Sequence, residues 1–174
     1  DPIYDVQSNV LGTLQMLNAM VAHNVRKIVF ISSGGTVYGL PKYLPIDECH
    51  PTEPLVSYGI TKLAIEKYMH LYEHMHGIKT IILRVANPYG ERQRVQTAQG
   101  VVGVFLHCAL TGNPIEIWGD GSVTRDYIHI SDVAQAFFDQ HFIPAAELIA
   151  RLPELSKSES PQGSGPARTY RLPG

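Results

Sequence analysis

The chain has 174 residues, 44% hydrophobic and 17% charged, with a formal net charge of -2. That length suits one domain with a real core, and the composition excludes a disordered or fibrous chain. The near-neutral balance gives no electrostatic basis for binding nucleic acid or an anionic membrane.

No apolar run approaches the roughly 20 residues needed to span a bilayer. Residues 1–9 are polar and acidic and do not read as a signal peptide. Cys49 and Cys108 lie far apart with no spacing partner. They read as reduced thiols of a cytoplasmic protein rather than as a disulfide.

In chain order, residues 9–24 place Val10, Leu14, Leu17 and Val21 three or four apart, which predicts a helix with one apolar stripe. Residues 27–32 form a short continuous apolar run, suited to a strand covered on both faces of a parallel sheet. A Gly- and Pro-rich loop fills 33–56. Ser57 opens a predicted helix to His76, with Gly77 at the position of a C-terminal cap. Residues 78–85 are again strand-like, 87–99 read as a loop, and 100–111 as a third helix. Short strands are expected over 115–118 and 125–130, followed by a helix that starts at Ser131-Asp132.

This alternation is that of βαβ units and a parallel sheet. In such sheets ligands bind beyond the carboxyl ends of the strands, so function is sought in the loops after Ile31 and Val85. No G-x-G-x-x-G turn occurs, so the usual phosphate-binding start of a dinucleotide fold is missing. From about residue 153 the chain loses periodicity and fills with Ser, Pro and Gly.

The main chemical signal is Ser57-Tyr58-Gly59-Ile60-Thr61-Lys62. Tyr and Lys four apart on a helix project from one face. A tyrosine of pKa about 10 is a poor base at neutral pH, and a nearby ammonium lowers that value by stabilising phenolate. Tyr58 can then serve as the acid/base group of an alcohol-to-ketone step. By itself the pair is also what a packed surface helix would show. Its company is Ile31-Ser32-Ser33-Gly34-Gly35-Thr36-Val37-Tyr38-Gly39, a hydroxyl- and glycine-rich strand end that by itself is an ordinary turn.

Together these residues resemble the extended short-chain dehydrogenase/reductase family (NAD-dependent epimerase/dehydratase), particularly its UDP-glucose/UDP-galactose 4-epimerases. Five stretches match in the family's order. They are Asn9-Val10-Leu11-Gly12-Thr13, the run from Ser32 to Gly39, and the run from Tyr58 to Lys62. Leu83-Arg84-Val85-Ala86-Asn87-Pro88-Tyr89-Gly90 is the fourth, and Gly119-Asp120-Gly121 with Arg125-Asp126 the fifth. The resemblance covers roughly residues 1–138.

It implies an α/β, Rossmann-like parallel sheet whose N-terminal phosphate-binding half is missing. Residues 1–86 would be the C-terminal half of the NAD-binding domain. Residues 87–150 would be a partial substrate-binding region with interleaved Rossmann elements, and 151–174 a disordered tail. Tyr58 would be the acid/base group, and Lys62 would hold the nicotinamide ribose and depress the Tyr58 pKa. Ser33 would supply the catalytic hydroxyl with Thr36 in reserve, because the position many relatives give to that hydroxyl is Gly34 here. Asn9, Ser32, Ser33 and the backbone near Ala86 would line the NAD site. Asn87 would contact the sugar diphosphate, Arg125 a phosphate or the nucleotide ribose, and Val101 with Val102 the uracil. Without the resemblance, Arg125 reads as a surface ion pair with Asp126 or Asp120.

The family's 4,6-dehydratases carry an Asp-Glu pair in the turn occupied here by Gly34-Gly35-Thr36, since eliminating water needs a further acid and base. Its absence favours epimerisation of a UDP-hexose through a transient 4-keto sugar. A nucleotide-sugar reductase is an alternative within the family, and a non-catalytic binding module one outside it. Without a phosphate loop, the 174-residue chain is expected to bind NAD weakly or not at all. The resemblance implies that relatives often dimerise through two helices, one of them bearing the tyrosine, which makes Tyr68, Leu71 and Met75 candidate positions for a homodimer contact or for the core. His70 and His74, one helical turn apart near His76, have ligand-compatible spacing. They lack an accompanying carboxylate motif, and no metal site is assigned; His107 and His129 read as structural.

Overall fold

In a computed structural model, residues 1–94, 100–117 and 119–139 are described. The expected tail over 151–174 lies outside them. The chain opens with helix α1 (Pro2–Asp5), a π-helical segment (Val6–Leu11) and helix α2 (Gly12–Ala22). Strand β1 (Lys27–Ser33), helix α3 (Ser57–His76) and strand β2 (Lys79–Val85) follow. Then come β3 (Asn87–Tyr89), α4 (Val101–Thr111), β4 (Tyr127–His129) and α5 (Ile130–Asp139).

Helical structure begins at Pro2, ahead of the apolar periodicity that starts at Asn9. Asp1 caps it, its Oδ1 accepting from the N–H groups of Ile3 (2.9 Å) and Tyr4 (3.3 Å). Side chains then bond back to carbonyls four residues earlier, from Ser8 to Tyr4, Asn9 to Asp5 and Thr13 to Asn9. Such bonds let polar residues stay within a helix, and here they run through its π-helical stretch.

β1 and β2 pair in parallel, in register from Lys27 opposite Lys79 to Ser33 opposite Val85. α3 crosses between them as the helix of a βαβ unit. It ends where Gly77 adopts φ +66°, its N–H donating to the Glu73 carbonyl at 2.9 Å. A left-handed cap is easy for glycine because it has no Cβ. Leu17 of α2 meets Ile65 and Met69 of α3 in the core, with Val10, Met20, Ile28, Phe30, Tyr72 and Ile82 packed around them. The Tyr72 hydroxyl donates to Asn18 at 2.6 Å and fixes α3 to α2.

The later part of the chain departs from the expected strands. Residues 87–89, expected in a loop, form β3 and pair in parallel with β4, Asn87 opposite Tyr127. Of the strand expected over 125–130, only Tyr127–His129 forms, and Ile130 already begins α5. Ile115 to Ile117 are not strand, while Trp118 lies outside the described residues. Ile115 and Ile117 are exposed; apolar alternation makes a strand only where a partner edge accepts its backbone.

Candidate active site

Two groups of residues make up the candidate site. The first surrounds the start of α3. Lys62 lies one turn after Tyr58, and its Nζ donates to the Ile31 carbonyl at 2.9 Å. The same nitrogen is 4.7 Å from the centre of the Phe30 ring and 5.5 Å from that of Tyr58. Tyr58 is half-exposed. The expected depression of its pKa is corrected here: burial pushes the Tyr58 phenol up, and burial pushes the Lys62 ammonium down. Lys62 lies over the tyrosine ring with its hydrogen bond directed to β1, and burial is the cause of the phenol's rise.

The turn after β1 is held tightly. Gly34 continues the pairing, its N–H donating to the Val85 carbonyl at 2.8 Å. A Cβ at Gly34 would stand 2.8 Å from the Arg84 carbonyl oxygen and 3.3 Å from the Ala86 nitrogen. Close approach to β2 therefore accounts for the glycine at this position. Ser33, paired opposite Val85, is half-buried. Thr36 Oγ1 is buried without a hydrogen-bond partner among the described residues. The Thr36 carbonyl lies against Gly59, the residue after Tyr58.

Ser32 departs from its expected cofactor role. It is 2% exposed, and its hydroxyl donates to Glu66 Oε1 at 2.5 Å. Glu66, also 2% exposed, accepts from Arg84 at 2.6 Å and 3.1 Å in a two-pronged ion pair. Arg84 donates in turn to the Tyr38 hydroxyl at 3.0 Å. Burial would raise the Glu66 pKa, but the bonds from Arg84 and Ser32 outweigh it and hold the carboxyl below its ordinary range. Glu66 and Tyr38 escaped the sequence reading. Their signal was Glu66 standing four residues beyond Lys62, on the stripe that begins at Tyr58.

The second group lines a cleft of about 530 Å³ bounded by β3, β4 and α4. Asn87, Val101, Val102 and Arg125 all face it, which brings together every substrate residue the sequence suggested, beside Glu116 and Tyr127. The Asn87 side-chain amide donates to the Asp126 carbonyl at 2.8 Å. Arg125 donates to the Thr124 carbonyl at 3.0 Å. Asn9 stands apart from both groups in its bonds, donating to the Asp5 carbonyl and to Ser8.

Several other residues find their places. Tyr68, Leu71 and Met75 are exposed along α3 rather than part of the core. The ring of His70 lies 3.8 Å from Glu73. Among the described residues, no group of three or more His, Cys, Asp or Glu side chains gathers as a metal site. Cys49 and Cys108 are free. No described helix is long and apolar enough to cross a membrane.

The donor set of the first group can be tested against NAD. Lys62 and the Thr36 hydroxyl, which has no partner among the described residues, suit the hydroxyl-bearing nicotinamide ribose end, whereas the Asn9 amide is already bonded to Asp5 and Ser8. The diphosphate end needs backbone N–H groups at a helix N-terminus after a glycine-rich turn, and the sequence contains none of that form.

The chain is similar to several known proteins. The chain is 40% identical over 137 residues to the UDP-glucose 4-epimerase of Mycolicibacterium smegmatis, a match covering 79% of this chain and 44% of that protein. It is also 40% identical over 133 residues to the dTDP-4-dehydro-6-deoxyglucose reductase of Escherichia coli, covering 76% and 42%. Among solved structures, the UDP-glucose 4-epimerase of Thermus thermophilus in complex with NAD superposes with a TM-score of 0.71 at 37% identity, covering 78% of this chain and 46% of that one. The chain thus spans a little under half the length of these relatives. The family model described as the NAD dependent epimerase/dehydratase family matches residues 1–139. With that match over most of its length, this chain belongs to the NAD dependent epimerase/dehydratase family.

Proposed function

We propose that this chain carries the acid/base and sugar-nucleotide part of a UDP-hexose 4-epimerase. The observation that carries the reading is Tyr58 with Lys62 at the carboxyl end of β1, followed in the chain by a cleft holding Asn87, Val101 and Arg125. Inverting C4 of a hexose requires the hydroxyl proton and the carbon-bound hydrogen to leave and to return after the sugar has turned over. The Tyr58 hydroxyl holds the proton in the first half and gives it back in the second. Ser33 or Thr36 orients the oxygen that becomes a carbonyl, and Thr36 is the better placed, since its buried hydroxyl lacks a partner. Arg125 clamps a phosphate or the ribose, Asn87 the diphosphate, and Val101 borders the base. Lys62, Asn9 and the backbone at Ala86 hold the nicotinamide ribose end of NAD. When bound, NAD supplies the hydride acceptor and donor.

The turn over Gly34-Gly35-Thr36 has no carboxylate, which supports epimerisation over elimination of water. The 40% identity to a reductase supports a second reading, reduction of a keto-sugar nucleotide by the same tyrosine. The exposed apolar positions Tyr68, Leu71 and Met75 support a homodimer packed through α3.

The deciding experiment is interconversion of UDP-glucose and UDP-galactose by the full-length protein with NAD, beside Tyr58→Phe. We expect conversion in the first and a loss of about 10²–10⁴-fold in the second. Reduction of a keto-sugar nucleotide with stoichiometric NADPH, without interconversion, would replace the epimerase with the reductase.

A further inference from the structure

The tyrosine's helix is held to the sheet by a buried polar circuit, beyond its apolar packing. Glu66 lies two turns after Tyr58 and one after Lys62, about 12 and 6 Å along the axis. Its two oxygens take hydrogen bonds from Ser32 on β1 and Arg84 on β2. Arg84 reaches on to the Tyr38 hydroxyl, and its guanidinium lies 4.9 Å from the centre of the Tyr38 ring. Tyr38 belongs to the same turn as Thr36, whose carbonyl abuts Gly59. The circuit therefore runs from the middle of α3 through both strands to the turn that abuts the residue after Tyr58.

We propose that Glu66 is a positioning residue for the acid/base tyrosine, fixing the roll of α3 over the ends of β1 and β2 through Ser32, Arg84 and Tyr38. The inference rests on the reading of Tyr58 as the acid/base group. Packing by Ile65 and Met69 is non-directional and would tolerate a small rotation of the helix. Hydrogen bonds from two different strands to one carboxylate do not, because each demands its own angle. A buried ion pair is also a poor device for stability alone, since apolar residues of similar volume often serve as well. Its directional hold on a helix bearing two chemically committed residues gives it a purpose.

The test uses the full-length protein with NAD and Cζ-labelled tyrosine, with the Tyr58 resonance assigned by its loss in Tyr58→Phe. In Glu66→Gln we expect the Tyr58 titration midpoint to move away from the wild-type value. We also expect kcat for UDP-hexose conversion to fall on the order of 10²-fold, the cost of about 1 Å of misplacement, with KM nearly unchanged. A wild-type midpoint together with wild-type kcat would overturn the proposal. If Glu66→Gln does not fold, Tyr38→Phe decides by the same readouts, with the same direction and a smaller effect expected, and an unchanged midpoint overturning it. Absence of UDP-hexose conversion in the wild-type protein would sink the epimerase reading while the tyrosine titration still decided the role of Glu66.

Discussion

Lys62 directs its ammonium to the carbonyl of Ile31 at 2.9 Å and stands 5.5 Å from the centre of the Tyr58 ring. The cation is thus anchored to the strand end and reaches the phenol through space. A positive charge at that range favours phenolate over phenol. Removing it in Lys62→Met raises the Tyr58 pKa further above its already elevated position. Since the base form is the deprotonated one, the rising limb of kcat/KM against pH moves to higher pH. A pH–rate profile of the full-length enzyme checks this; a limb that stays in place would mean that Lys62 does not tune Tyr58.

Gly59→Ala reverses the ordinary sign of such a change. Glycine to alanine inside a helix normally stabilises by about 1 kcal/mol. Here the new Cβ would meet the Thr36 carbonyl oxygen at 2.6 Å and the Pro54 Cβ at 2.9 Å. The turn carrying Tyr58 must shift away. Conversion is expected to fall on the order of 10²-fold, with the helical circular-dichroism signal retained. Unchanged kcat would show that the contact is slack.

Arg125→Ala tests the cleft. One charge-assisted bond contributes about 1.5–3 kcal/mol, equivalent to roughly 10–100-fold in affinity. KM for the sugar nucleotide should rise by that factor while kcat changes little. A fall in kcat at constant KM would place Arg125 in the chemical step instead.

The Glu66–Arg84 pair predicts a particular acid sensitivity. Breaking such a buried pair costs about 3–5 kcal/mol, so Glu66→Gln should lose about that much in urea unfolding at neutral pH. The folded carboxyl titrates below its ordinary value of 4.5. Its stabilisation is present above the unfolded pKa and disappears as pH falls through the folded one. Below the ordinary carboxylate range, the gap between wild type and variant should therefore narrow. A constant gap down to strongly acid pH would contradict the ionised pair.

Leu17→Ala serves as the contrast. Leu17 is fully buried against Ile65 and Met69, and truncation should cost about 2–5 kcal/mol in thermal or urea melts. Activity per folded molecule should stay at the wild-type level, because the core lies away from the strand ends. A matching loss of kcat would mean that the core and the site are coupled.

How much the sequence disclosed depended on the kind of interaction involved. The strand at 27–33, the helix from Ser57 to His76 and its Gly77 cap follow from local rules, namely apolar runs, 3.6-residue periodicity and a left-handed glycine. The convergence of Asn87, Val101 and Arg125 on one cleft followed from the motif resemblance. What stayed hidden was non-local. The pairing of residues 87–89 with 127–129 joins segments far apart in the chain. The bond from Ser32 to Glu66 turns a hydroxyl expected at the cofactor into part of the interior. The elevated Tyr58 pKa comes from burial of the phenol, which Y-x-x-x-K spacing leaves undetermined.

The level pairing of β1 and β2 has a consequence for insertions and deletions. Ser32 faces Glu66 and the chain turns at Gly34 because Ser32 and Ser33 stand opposite Arg84 and Val85. Side chains alternate with period two, so adding or removing one residue in 27–33 would turn every following side chain to the opposite face. A deletion would bring Ser33 to the buried carboxylate, and an insertion would bring Ile31 there and force the Ser33 side chain into the space that Gly34 now occupies. Length variation is therefore forbidden in the strand, and a library of single-codon deletions across 27–33 would test that constraint.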